Sequence, residues 1–105
     1  MDYYVIAFRA RSHTINFAWI LNSYHVRCEI INTPRKVNVS CGISIRFSPK
    51  DLATVEQILS RRHFDTFGGI YSISGGFGLD QKVTKIRWLQ NIIIYVNIHY
   101  SIGDI

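Results

Sequence analysis

In the stretch Asn32-Thr33-Pro34-Arg35-Lys36-Val37-Asn38-Val39-Ser40-Cys41-Gly42, a thiol is preceded by two cations and followed by a glycine. Pro34 favours a turn there, and Gly42 permits close approach of another backbone. Arg35 and Lys36 come back towards Cys41 if the stretch folds on itself, and nearby positive charge favours thiolate over thiol. The thiolate is the nucleophile in persulfide or selenide transfer. The residue types leave a second reading of Cys41 open. It shares strand parity with Ile43, Ile45 and Phe47, so a strand that begins early would point it into the core, where cysteine is at home. Cys28, mid-strand with Val26 and Ile30, reads as a packed and inert thiol.

Other chemistries find little support. His13, His25, His63 and His99 stand at no ligand spacing, and the two cysteines form no close pair, so no metal site is expected. Gly75-Gly76-Phe77-Gly78 lacks the Lys-Ser/Thr of a phosphate loop and reads as a linker. No serine sits in a nucleophile-elbow pattern. No cofactor is expected.

The elements that must position Cys41 can be read from pattern. Residues 3–8 form a strand that is largely apolar on both faces, which suits the centre of a covered sheet. Ser12 is the expected cap of a helix running to about Tyr24, with Phe17, Ala18, Leu21 and Tyr24 facing the sheet. Residues 26–32 make a second strand, and residues 42–47 alternate cleanly as a third. Ser48-Pro49-Lys50-Asp51 is the strongest helix start, with Ser48 as cap, Pro49 in the first turn and Asp51 at the positive end of the dipole. Leu52, Val55, Ile58 and Leu59 are its apolar stripe. Gly68-Gly69 leads into a last short strand, Ile70-Tyr71-Ser72-Ile73. The order β-α-β-β-α-β predicts an α+β, ferredoxin-like sandwich over residues 1–73. Residues 74–105 form a C-terminal extension, a linker followed by a β-prone stretch at 88–98.

Composition agrees with one folded unit. The chain has 105 residues, 48% hydrophobic and 18% charged, with a formal net charge of +5. A chain of this length buries roughly 60–65% of its unfolded surface, enough for a single core without staples. Seventeen isoleucines against five leucines favour sheet over helix. Asp2 stands where a signal peptide wants a cation, and the longest apolar run, residues 92–96, is far short of the ~20 residues that span a bilayer. A cytoplasmic chain with reduced thiols is the expectation.

Residues 4–73 resemble the small bacterial domains called putative Se/S carrier protein-like. The resemblance rests on the opening Tyr4-Val5-Ile6-Ala7-Phe8, the Thr33-Pro34-Arg35 turn and the Ser40-Cys41-Gly42 step into an alternating strand. The Ser48-Pro49-Lys50-Asp51 helix start and the closing Gly69-Ile70-Tyr71 complete it. It implies a ferredoxin-like domain whose Cys41 carries sulfur or selenium, with Arg35 as the matching basic residue and Gly42 as the matching glycine. The partners it implies are a persulfide donor, such as a cysteine desulfurase, and an acceptor protein. The resemblance stops at Ile73.

Two other classes of function remain open at this stage. A basic ferredoxin-like domain can bind RNA, with Tyr3 as a stacking residue and Arg9, Arg11, Arg61 and Arg62 as a basic surface. Against this, Gly42-Ile43-Ser44-Ile45-Arg46-Phe47 lacks the aromatic pattern of RNA-recognition strands. An interaction module is the third class, in which the extension, with Trp88 and Tyr95, adds an edge strand or pairs with another copy of the chain.

Overall fold

The structure, a computed structural model, describes residues 2–75 and 81–86. Its first strand, β1 (Tyr3–Phe8), has Val5, Ile6, Ala7 and Phe8 all fully buried, as apolarity on both faces requires. It is followed by α1 (Arg11–Ser23), β2 (Cys28–Asn32), β3 (Ile43–Phe47), a 3-10 turn at Pro49–Asp51, α2 (Leu52–Ser60), β4 (Phe67–Ser74) and β5 (Lys82–Ile86). The five strands form one sheet in the order β2-β3-β1-β4-β5, with every neighbouring pair antiparallel. An α+β fold is therefore present, and the order of β1 to β4 with the two helices is compatible with the ferredoxin-like sandwich. Among the described residues, no helix is long and apolar enough to cross a membrane.

The two faces of the sheet are covered differently. On one, Ile6, Phe8, Ile45, Phe47 and Ile70 pack with Phe17, Ala18 and Leu21 of α1 and Val55, Ile58 and Leu59 of α2. The Phe8 ring is the hub, with edge-on centroid distances of 5.7 Å to Phe17, 5.1 Å to Phe64 and 5.9 Å to Phe67. On the other face, Val5, Ala7, Tyr71 and Ile73 pack under Val37 and Val39, which belong to the connection between β2 and β3. The stretch that carries Cys41 is thus part of the core's cover.

Several expectations need correction. Ser12 does not cap α1: Ala10 holds the cap position without a side-chain bond, and its carbonyl takes the N–H groups of His13 and Thr14 at 3.1 and 3.2 Å. The helix begins at Arg11, so Ser12 is already inside it, and Arg9 ties the chain before the cap to a distant turn, its N–H on Thr66 O at 2.8 Å and its guanidinium on Asp65 O at 2.9 Å. Tyr24 does not face the sheet. The helix ends there, leaving its side chain 50% exposed with the Arg62 guanidinium over its ring. Beyond it, His25 takes a left-handed φ of 61°, and the Val26 N–H reaches back to Leu21 O at 3.0 Å, closing the helix in a Schellman motif. Gly68 and Gly69 lie inside β4 rather than before it. Ala7 pairs with Gly69 and Phe8 with Phe67, so Gly68 is the extra residue of a β-bulge. An added edge strand exists as β5, on residues 82–86, while the β-prone residues 88–98, Gly76-Phe77-Gly78 and His99 lie outside the described residues.

The bulge meets the cover closely. A Cβ placed on Gly68 would stand 2.5 Å from the carbonyl oxygen of Val39 and 3.2 Å from that of Ala7, both backbone atoms. Gly68→Ala is expected to cost about 1–3 kcal/mol through forced movement of the cover. A thermal unfolding midpoint equal to the wild type would show that the cover is not seated this tightly.

Candidate functional site

The connection 33–42 is closed at its base by the Thr33 N–H on Gly42 O at 2.9 Å and turned at its tip by the Val37 N–H on Pro34 O at 2.9 Å. Val37, only 4% exposed, anchors it to the sheet, and Lys36 Nζ ties it to Gln81 O at 2.6 Å. At its end, the Cys41 N–H bonds Phe8 O at 3.1 Å, pinning the cysteine to the last residue of β1. Gly42 then adopts a φ of +101°, a conformation open to glycine and strained for other residues.

A part-buried chain of hydroxyls holds this turn in place. Ser44 Oγ and Ser40 Oγ each lie 2.7 Å from Thr33 Oγ1, and Ser40 Oγ donates to Ile43 O at 2.9 Å while accepting the Gly42 N–H at 3.1 Å. Each hydroxyl has one proton to give. Thr33 stands between Ser40 and the fully buried Ser44, and Ser40 has both Ile43 O and the Cys41 sulfur as acceptors.

Because β3 begins at Ile43, Cys41 lies outside the strand and its parity with Ile43 does not send it into the core. It is half-buried at the start of α1, with Sγ 3.6 Å from Thr14 Oγ1 and 3.6 Å from Ile43 O. Burial pushes the Cys41 thiol up, but hydrogen bonding with the Ile43 backbone, the Thr14 hydroxyl, the Cys41 backbone and the Ser40 hydroxyl outweighs it, and the net direction is down. Cys28 has the opposite balance. Its Sγ faces Asn22 Oδ1 at 3.7 Å and Ala18 O at 4.0 Å, and burial alone pushes its thiol up.

The structure brings Cys41 and Gly42 together in one turn, with nothing within 4 Å of a Cβ built on Gly42. Arg35 is exposed at the tip of the same connection and is not among the groups that shift the Cys41 thiol. Charge on a neighbouring loop had been the expected cause, whereas hydroxyls and backbone do the work. Thr14 and Ser44 were not singled out in sequence, and Thr33 and Ser40 only as members of the Thr33-Pro34-Arg35 and Ser40-Cys41-Gly42 pieces. Thr14 nevertheless had a visible signal, since it falls on the same helical stripe as Phe17, Ala18 and Leu21. As for RNA, the Tyr3 ring lies beneath the Arg46 guanidinium at 5.4 Å, and its sheet face is covered by Val37 and Val39.

A family model described as putative Se/S carrier protein-like matches residues 3–71. The chain belongs to this family. Comparison with curated proteins and with solved structures returned no match. The family match spans β1 to most of β4 and includes the whole Cys41 turn.

Two predictions follow from the geometry. Cys41 is expected to reach half-maximal alkylation by iodoacetamide at a lower pH than Cys28, because a lowered pKa gives more thiolate at a given pH. Peptide mass spectrometry across pH reads both, and equal or reversed order would contradict the site as described. Gly42→Ala is expected to cost about 1–3 kcal/mol from backbone strain alone, since no atom opposes the new methyl. An unchanged unfolding midpoint would mean that the positive φ is dispensable.

Proposed function

We propose that Cys41 carries a sulfane sulfur or selenium atom, and that the chain passes it from a persulfide donor, such as a cysteine desulfurase, to an acceptor protein. The observation that carries this reading is the Cys41 thiol itself: half-buried, lowered by hydrogen bonds, and set beside open space over Gly42 in a chain of the carrier family. In loading, the Cys41 thiolate attacks the terminal sulfur of the donor persulfide. A new S–S bond forms at Sγ, the donor's S–S bond breaks, and the donor cysteine leaves as a thiolate. No external oxidant or reductant is needed, because the sulfane sulfur moves at constant oxidation state.

Gly42 leaves the turn slim enough to enter a donor's active site. Arg35, exposed on the same connection, supplies a charge that attracts an anionic partner.

Incubation with a cysteine desulfurase and cysteine is expected to add the mass of one sulfur atom to the wild type and to Cys28→Ser, and none to Cys41→Ser. Arg35→Ala is expected to load more slowly, with a larger deficit at low salt. An unloaded wild type, or a Cys41→Ser chain that gains the same mass, would overturn the carrier reading.

A further inference from the structure

The first turn of α1 contains a polar group that the carrier chemistry above does not use. Thr14 is fully buried, so solvent cannot take its hydroxyl proton. Two acceptors lie in reach: Ala10 O at 3.4 Å and Cys41 Sγ at 3.6 Å. The first is long for an oxygen acceptor, whose usual O–H···O separation is about 2.7–2.8 Å. Ala10 O is also already occupied by the N–H groups of His13 and Thr14. The second distance suits the larger sulfur atom, and a thiolate attracts the proton more strongly than a shared carbonyl does. Ser40, the other hydroxyl that acts on Cys41, is only part-buried and divides its one proton between the sulfur and Ile43 O at 2.9 Å. Thr14 is therefore the buried hydroxyl with a proton to give.

We propose that Thr14 is a positioning residue that donates its hydroxyl hydrogen bond to Cys41 Sγ and makes this sulfur a better leaving group when the carried atom is handed on. The second clause rests on the carrier reading. In that step an acceptor thiolate attacks the terminal sulfur of the Cys41 persulfide and forms a new S–S bond. The bond between Sγ and the carried sulfur breaks, its electron pair stays on Sγ, and Cys41 leaves as a thiolate. Leaving is faster the more the departing thiolate is stabilised. The same bond gives the free thiol a larger anionic fraction before loading.

The placement follows from helix geometry. A helical side chain leans back towards the N-terminus, so a threonine in the first turn reaches the elements that abut that end. Here that element is the turn fixed by the Cys41 N–H on Phe8 O.

The test compares Thr14→Val, which removes the hydroxyl and keeps the shape, with Thr14→Ser, which keeps the hydroxyl, both in a Cys28→Ser background. The pH midpoint of Cys41 alkylation is expected to rise on the order of one pH unit in Thr14→Val and to stay near the wild type in Thr14→Ser. Chains loaded chemically with sulfane sulfur are expected to release it to a thiol acceptor about tenfold more slowly in Thr14→Val only. Circular dichroism and thermal melting identify the folded variants. A folded Thr14→Val with an unchanged midpoint would overturn the proposal, as would a Thr14→Ser shifted as far as Thr14→Val. A wild type that takes no sulfur from the desulfurase, beside a shifted Thr14→Val midpoint, would overturn the carrier reading and uphold the bond from Thr14 to Cys41.

Discussion

A strand that is apolar on both sides has to be covered on both sides, and β1 imposes that demand on the rest of the molecule. Val5 and Ala7 face one way and Ile6 and Phe8 the other, all fully buried. Two helices cover the Ile6 and Phe8 face. Among the described residues there is no third helix for the other, and the connection between β2 and β3 takes that place with Val37 and Val39. A surface loop is ordinarily free to move. This one gains the fixity of a core element, because lifting it would return apolar surface on β1 and β4 to water, at about 25 cal/mol per Å². Cys41 inherits that fixity at the point where the connection rejoins the sheet, one backbone hydrogen bond from Phe8.

The way the thiol is lowered also follows from this packing. An exposed cation acts on a thiolate through water and salt, and its pull fades beyond a Debye length of about 8 Å at physiological ionic strength. Buried donors act at contact distance in a medium of lower polarity, and salt does not screen them. Thr14 is fully buried, and Ser40 is held in place by Thr33 and the fully buried Ser44. The Cys41 thiol is in this way lowered by hydroxyls and backbone, and Arg35, exposed at the tip of the connection, is not among the groups that shift it.

What could be read along the chain was what depends on near neighbours in sequence. The double-sided apolarity of residues 3–8, the alternation before Phe47 and the Leu52, Val55, Ile58 and Leu59 stripe all appear as elements in the expected places, while Ser48-Pro49 opens a 3-10 turn ahead of α2 and the Ser48 side chain makes no cap bond. The Thr33-Pro34-Arg35 and Ser40-Cys41-Gly42 pieces pointed to the family that the chain belongs to. What depended on pairing across the fold was not legible. Gly68-Gly69 has the composition of a break, and only its pairing with Ala7 and Phe8 makes it a bulge within a strand. Ser12 has the right type for a cap, but the helix begins before it, at Arg11, next to a chain segment that Arg9 ties to Thr66 and Asp65 of a distant turn. The Thr14 hydroxyl, 3.6 Å from the Cys41 sulfur, is 27 residues away in sequence.

The two cysteines show where the functional information resides. They are the same side chain, both half-buried and both within 4 Å of a backbone carbonyl, yet one thiol is lowered and the other raised. Cys28, expected in mid-strand, is the first residue of β2, and its sulfur faces two oxygens, the Asn22 side-chain Oδ1 and the Ala18 carbonyl. Oxygens that accept from the S–H give a thiolate no support. Cys41 stands just before a strand, beside a helix start and next to a glycine of positive φ, where donors are not all consumed by regular pairing. Gly42, at its positive φ, is the single residue between Cys41 and the start of β3, so the sulfur stays beside the start of α1 rather than joining the alternation of Ile43 and Ile45.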